Sequence, residues 1–314
     1  MFPGNNVWNV PCNNLPVNPN TANYVSHLVG GVHPGFGYMY AGALNGMPVT
    51  VVNNAPLVPV TLNEYPAESD PGPYPVPSTG YIIEGAPGPN QPGSGDAHLL
   101  VFDTGRQKLY EFYHAAFQNG NWSAGNAAIF DLNSNALRPA GWTSADAAGL
   151  PITPGLIRYD EVQSGKIAHA LRLCIPWTQE EYIWPARHLT YVTTDPTWPP
   201  MGQRFRLKAN FDISTFSPIN RVILQCLKDY GGFIADNDGP SGSQIFLSGI
   251  PDPRWDDNDL HNLVVYVHGT DFEAVDESSL MVDPNSAATN VGSTSSSVAS
   301  SAPSHHTYSA ARAR

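Results

Sequence analysis

HLLVFDTGRQKLYEFYHA, residues 98–115, is two apolar-rich runs joined by Asp103-Thr104-Gly105-Arg106. Period-2 alternation puts Leu99, Val101 and Asp103 on one face of the first run, with His98, Leu100 and Phe102 on the other. On the return run Leu109, Glu111 and Tyr113 share a face, opposite Tyr110, Phe112 and His114. Both faces carry large apolar groups, so the pair belongs between two packed layers rather than on an open surface. Outward from it, residues 127–130, 156–159, 168–175, 182–184 and 204–212 read as further short strands. Pro48–Val52, 57–62, 233–235 and 244–248 add four more. Many short strands, few helices and no internal repeat predict an all-β, jelly-roll-like β-sandwich with a few peripheral helices.

Two helices stand out at the periphery. Ser217-Pro218 caps INRVILQCLKDY before Gly231-Gly232, and Asp256 or Asp257 lies at the start of a helix over 256–264. Residues 1–20 read as an extended segment anchored by Trp8, residues 21–278 as a single domain, and residues 279–314 as a flexible Ser/Thr/Ala-rich tail that includes His305-His306. Between residues 64 and 97 the prolines of EYPAESDPGPYPVPSTG block regular pairing, because each fixes φ and removes a donor. A long irregular segment inside a folded domain is often functional, which singles out Glu64, Glu68, Asp70, Tyr74 and Glu84.

The 314 residues carry 15 Lys and Arg against 27 Asp and Glu, a formal net charge of −12, and no basic patch appears, which argues against a nucleic-acid partner, whose phosphates need clustered cations. No apolar run is long enough to span a membrane. Only 13% of residues are charged, which together with the C-terminal tail leans towards a secreted protein, and a monomer is expected. MFPGNNVWNVP has neither the basic nor the apolar region of a signal peptide, so secretion implies a leader already removed. Asn121-Trp122-Ser123 is a glycosylation sequon. Three cysteines (Cys12, Cys174, Cys226) allow one disulfide and one free thiol, and spacing alone does not choose the pair.

HExxH, the P-loop, the Rossmann glycine pattern and GxSxG are all absent, which disfavours zincins, nucleotide enzymes and α/β-hydrolases. No cofactor is expected. Three imidazoles converging on one sheet face could hold a transition metal, and His98, His114 and His188 are the candidates, with His169 nearby in sequence; the bland reading is hydrogen bonding within the β core. Carboxylates are the better candidates. Glycoside hydrolysis needs an acid and a partner carboxylate about 5 to 9 Å apart, and Glu111, Asp131, Asp160 and Glu161 lie in the central region, although rim salt bridges would explain each of them. Arg138 and Arg187 could hold an acidic sugar, and Trp142, Trp184 and His188 could line its site. Trp177, Trp198 and Trp255 also lie in loop-like contexts where rings can stack on sugars, though most tryptophans serve the core. A polysaccharide lyase would instead use His188, His114, Tyr113 and Arg187 to abstract a proton and neutralise a uronate.

FDLNSNALRPAGWTSADAAGLPITPGLIRYDEV (130–162), HALR (169–172), WPARH (184–188), PPMGQRFRLKANFDI (199–213) and LKDYG with IADN (227–237) resemble a family of secreted microbial proteins of unassigned function. The resemblance covers about residues 5–275 and implies one extracellular domain, but transfers no catalytic residue. The ExDxxE of laminarinase-like hydrolases and the RxEQR and QIH of alginate lyases are missing. These readings converge on an extracellular protein that meets a polysaccharide or other glycan, most directly by hydrolysis with paired Asp/Glu. The alternatives are a non-catalytic carbohydrate-binding or cell-surface module, and the lyase.

Overall fold

A computed structural model describes residues 1–239 and 244–291. The hairpin at the head of the reading forms as expected: Leu99–Asp103 and Lys108–Tyr113 pair antiparallel in the middle of a four-stranded sheet. Asn126–Asp131 flanks it antiparallel, and Val49–Val52 flanks it parallel. The predicted faces hold. Leu99, Val101, Tyr110 and Phe112 pack with Tyr74, Val76, Tyr81 and Ile83 of the proline-rich segment. Leu100 packs on Ala145, Ile152 and Leu156, while Phe102 and Leu109 pack on Phe130 and Leu132.

The sandwich does not form. The described chain folds as a mixed α/β structure with four separate open sheets and four α-helices. The largest sheet has six strands in the order Val32–Gly35, Ile245–Ser248, Leu171–Ile175, Gly232–Asn237, Arg204–Leu207, Phe272–Ala274. Its first pair and its Leu171–Ile175/Gly232–Asn237 pair run parallel. Parallel neighbours cannot be joined by hairpins and need a crossover. The helix Pro218–Asp229 lies within the connection between the latter two strands. A jelly roll is built from antiparallel strands, so these pairs overturn both the jelly-roll and the β-sandwich expectation. The architecture therefore lends no support to the carbohydrate-active enzymes of that fold.

Several predicted strands are something else. Residues 156–159 run from a 3-10 turn, Thr153–Gly155, into the short helix Tyr159–Gln163. Residues 182–184 contribute one bridge, Tyr182 to Met201, and the strand expected over 204–212 stops at Leu207. The two expected helices appear as Pro218–Asp229 and Asp257–Tyr266: the predicted cap Ser217 accepts through Oγ from Asn220 N, and Asp256, one of the two acids expected at the start of the second, caps it by accepting from Asn258 N and Asp259 N. Ile223, Leu224, Cys226 and Leu227 bury that first helix in the main core with Phe205, Phe233 and Trp8.

Residues 280–290, expected as part of a tail, pack against the domain. Leu280 and Ala287 are buried, and Val7 N donates to Ala287 O at 2.8 Å. Arg187 donates to Pro284 O (2.6 Å) and Asn285 Oδ1 (2.8 Å), and Trp184 Nε1 to Ser286 O (2.8 Å). Residues 292–314, with His305-His306, lie outside the described residues. A chain ending at residue 278 should therefore be less stable than one ending at 291 by about 3 kcal/mol or more, since buried donors lose their acceptors and two apolar side chains are lost. Equal urea midpoints for the two chains would show this packing to be energetically idle.

Candidate functional site

The proline-rich segment is stapled to the domain by its acids, each facing a different base. Glu64 meets His114 (2.7 Å), Glu68 faces His188 (3.9 Å), Asp70 pairs with Arg138, and Glu84 meets His98 (2.6 Å). The prolines deny this segment a sheet ladder, so ion pairs and the apolar side chains between them hold it instead. The three histidines considered for a metal thus each face a separate glutamate. Among the described residues no group of three or more His, Cys, Asp or Glu is arranged to hold a metal ion.

His98 is buried, with Nδ1 on Glu84 and Nε2 2.9 Å from Ala145 O. Both ring nitrogens face acceptors, an arrangement that only the doubly protonated ring satisfies. Burial opposes that charge, but Glu84 outweighs it and raises His98 to about 9. Burial likewise opposes the Glu84 charge, yet His98 leaves its carboxyl below the ordinary value.

Each of the four expected carboxylates is engaged by its own partners. Glu111 is wholly buried and accepts from Ile152 N (2.8 Å) and Thr153 N (2.9 Å), holding the 3-10 turn to the central sheet; burial raises its pKa. Asp131 lies 3.7 Å from Lys108, and Asp160 lies 2.8 Å from Arg254. Glu161 is held by Arg158 and by His169 at 3.2 Å; burial acts against its charge, but these two bases bring it down to about 2. Arg138 is also occupied: Nε donates to Thr143 O, Nη2 donates to Glu68 O, and its guanidinium lies 5.6 Å from the centre of the Trp142 ring. Arg187 and Trp184 bind the 284–286 segment, and His188 Nδ1 lies 2.8 Å from Ala147 O. The nine predicted site residues thus spread over several local networks.

One feature went unread in the sequence, and a second was read only as separate residues. The first is Arg172, fully buried in the strand Leu171–Ile175, whose fork takes both oxygens of buried Asp146 (2.7 and 2.9 Å). It also donates to Asp236 Oδ2 (2.9 Å), Ser248 Oγ (2.8 Å) and Cys174 Sγ (2.8 Å). Burial works against the Arg172 charge and Asp146 more than offsets it, so the guanidinium is held above its ordinary value. Asp236 reaches the surface at the carboxyl end of the parallel pair, where open α/β sheets place ligands. Burial, opposed by Arg172, pushes it up to about 6. An arginine within LRLCI was the available signal, because a charge inside an apolar strand requires buried partners.

The second is aromatic. Trp177, two residues beyond the same strand end, is 38% exposed, and its ring centre lies 5.7 Å from that of half-buried Trp198 at 44°. Trp198 stacks on His27 at 4.0 Å and 17°, and His27 Nε2 lies 2.9 Å from Thr197 Oγ1. Gln179 Nε2 fixes the loop through Trp198 O, and Tyr191, on the loop between the two tryptophans, is 83% exposed. Trp255, by contrast, is buried in the main core.

Two shallow hollows, of about 370 and 420 Å³, are lined by Lys208, Asn210 and Asp271 and by Asn13, Arg206 and Lys228, and contain none of the predicted site residues. No helix among the described residues is long and apolar enough to cross a membrane. No family model matches the chain, and neither does any curated protein or solved structure.

Proposed function

We propose that this is an extracellular glycan-binding protein whose contact surface is the Trp177–Trp198 pair. The observation that carries it is the pairing of two surface indole rings, the inner one braced by His27, on a loop fixed to a strand end. Aromatic faces pack against the apolar C–H faces of sugar rings, and rigid rings lose little conformational entropy on binding. On the loop between them Thr193, Asp195 and Thr197 offer hydrogen-bonding groups for sugar hydroxyls, and the low proportion of charged residues suits a neutral polysaccharide.

Hydrolysis is the second reading, and one observation favours it. Asp236 is pushed up while Glu84 is pushed down, and both feel Arg172 and His98. Two carboxyls with environments that separate their pKa values are how acid and base roles are divided. These two carboxyls are not among the four acids expected from sequence.

One assay addresses both. The protein is applied to insoluble plant, fungal and bacterial polysaccharides, and retention and released products are measured together. Retention on at least one polymer is expected, with Trp177→Ala weakening it about tenfold or more, as for a central aromatic contact, and the melting temperature unchanged. Unaltered retention of Trp177→Ala, or no retention on any polymer, would remove this surface from consideration. Saturated oligosaccharides released by the wild type and lost in Asp236→Asn would transfer the function to the carboxyl pair.

A further inference from the structure

Cys12 and Cys226 lie 214 positions apart in sequence, yet they meet at one turn. Cys226 sits in the last turn of the helix Pro218–Asp229, where its carbonyl accepts from Tyr230 N (2.7 Å) and Gly231 N (3.1 Å). Cys12 N donates to Asp229 O at 2.7 Å, which docks the N-terminal segment onto that same helix end. Gly231 has φ +59°, and a Cβ built there would lie 3.2 Å from Cys12 Sγ, so the Cys12 sulfur rests directly on the turn. Cys226 Sγ donates to His169 O (3.3 Å), and the next residue, Ala170, donates through its N to Trp8 O (2.7 Å). The strand end 169–170 therefore places the Cys226 thiol under the N-terminal segment. Arg204 bridges the two regions, donating to Tyr230 O and to Val10 O, each at 2.7 Å.

Both side chains are buried and both thiols are free in this structure. Burial is the main influence that raises each thiol, and each lies within electrostatic reach of Arg204; Cys12 further raises Cys226. Cys174 belongs elsewhere, with its sulfur on Arg172 at 2.8 Å.

We propose that Cys12 and Cys226 are the redox pair of this chain and close to a disulfide that fastens the N-terminal segment to the helix Pro218–Asp229, leaving Cys174 as the free thiol. The oxidant class is a small-molecule disulfide such as oxidised glutathione. One cysteine thiolate attacks it, forming a protein–glutathione disulfide and releasing one glutathione thiolate. The second cysteine thiolate then attacks the protein sulfur of that bond, forms Cys12 Sγ–Cys226 Sγ and releases the second glutathione. The two protein thiols lose two protons and two electrons, and one oxidised glutathione becomes two reduced ones. Docked, both sulfurs are sealed from reagents, so the exchange proceeds while the segment is undocked, during folding.

The test starts from the full chain, denatured and reduced, then refolded in reduced and oxidised glutathione, quenched with acid, denatured and treated with N-ethylmaleimide. Intact mass should show one maleimide, and peptide mapping should show Cys12 linked to Cys226 with the label on Cys174. The oxidised protein should melt about 5 °C or more above the reduced form, as expected for closure of a long loop. Cys12→Ser and Cys226→Ser should each take two maleimides. Three maleimides on the refolded wild type, or a linked peptide containing Cys174, overturns the assignment. The mapping uses the unsubstituted chain, so a variant that misfolds does not decide the outcome, and none of it depends on glycan binding.

Discussion

Arg172→Met should cost about 3–5 kcal/mol of folding stability, the usual consequence of removing one partner from a buried pair. The methionine would fit the volume, and its added apolar contact returns only about 1–2 kcal/mol. What remains is Asp146, fully buried, with both oxygens stripped of their guanidinium donors. Asp236 suffers less because it reaches the surface and can hydrate. The second variant distinguishes pairing from packing: Arg172→Met combined with Asp146→Leu removes the stranded charge and should recover at least half of the loss. Urea denaturation measures all three chains. A loss under about 1 kcal/mol for the single variant, or no recovery in the double, would show that the buried Arg172–Asp146 fork contributes little.

His98 and Glu84 set the second large effect, which depends on pH. The folded His98 titrates at about 9, above the ordinary histidine value near 6.5. Its contribution is therefore fully present below about pH 6.5 and is lost as pH rises through about 9. Glu84 is shifted down, so its contribution is present above the ordinary carboxylate range and is lost as pH falls below it. The difference in stability between the wild type and Glu84→Gln isolates the pair from Arg172 and Asp96, which also act on His98. That difference should be largest between about pH 5 and 6.5, about 3 kcal/mol, and should shrink steadily to beyond pH 9. A difference that stays constant from pH 6 to 10 would mean the ring is neutral in the folded protein.

Local pattern was legible in the sequence wherever one element decided its own structure. The alternation of 98–115 assigned the faces of the central hairpin, and Ser217-Pro218 with Gly231 bounded the main helix. Strand direction was not legible, because a parallel and an antiparallel neighbour ask for the same apolar alternation. Leu171–Ile175 reads identically beside either, and the direction of its partner Gly232–Asn237 is set by the crossover through the intervening helix. The acids show the same limit. Glu111 in KLYEFY was rightly unusual, since a carboxylate inside an apolar strand must be accounted for, but its partners are backbone amides 41 and 42 residues away that no side-chain motif marks. Trp177 and Trp198 were noticed only among other loop tryptophans; Trp255, in a similar proline-flanked context, turned inward.

The bond from Val7 to Ala287, together with Thr289 N to Asn5 O at 2.9 Å, fixes an order of events during synthesis. A ribosome delivers residues 5–10 first, but their partners at 169–170, 204 and 287–289 emerge much later. Trp8 belongs to the main core, so that core stays open on one side until almost the whole described chain has been made. Final packing of the main core thus waits until residues 287–289 are available. During that interval the first segment lacks part of what seats it, and a chaperone or an oxidant has its opportunity to reach it.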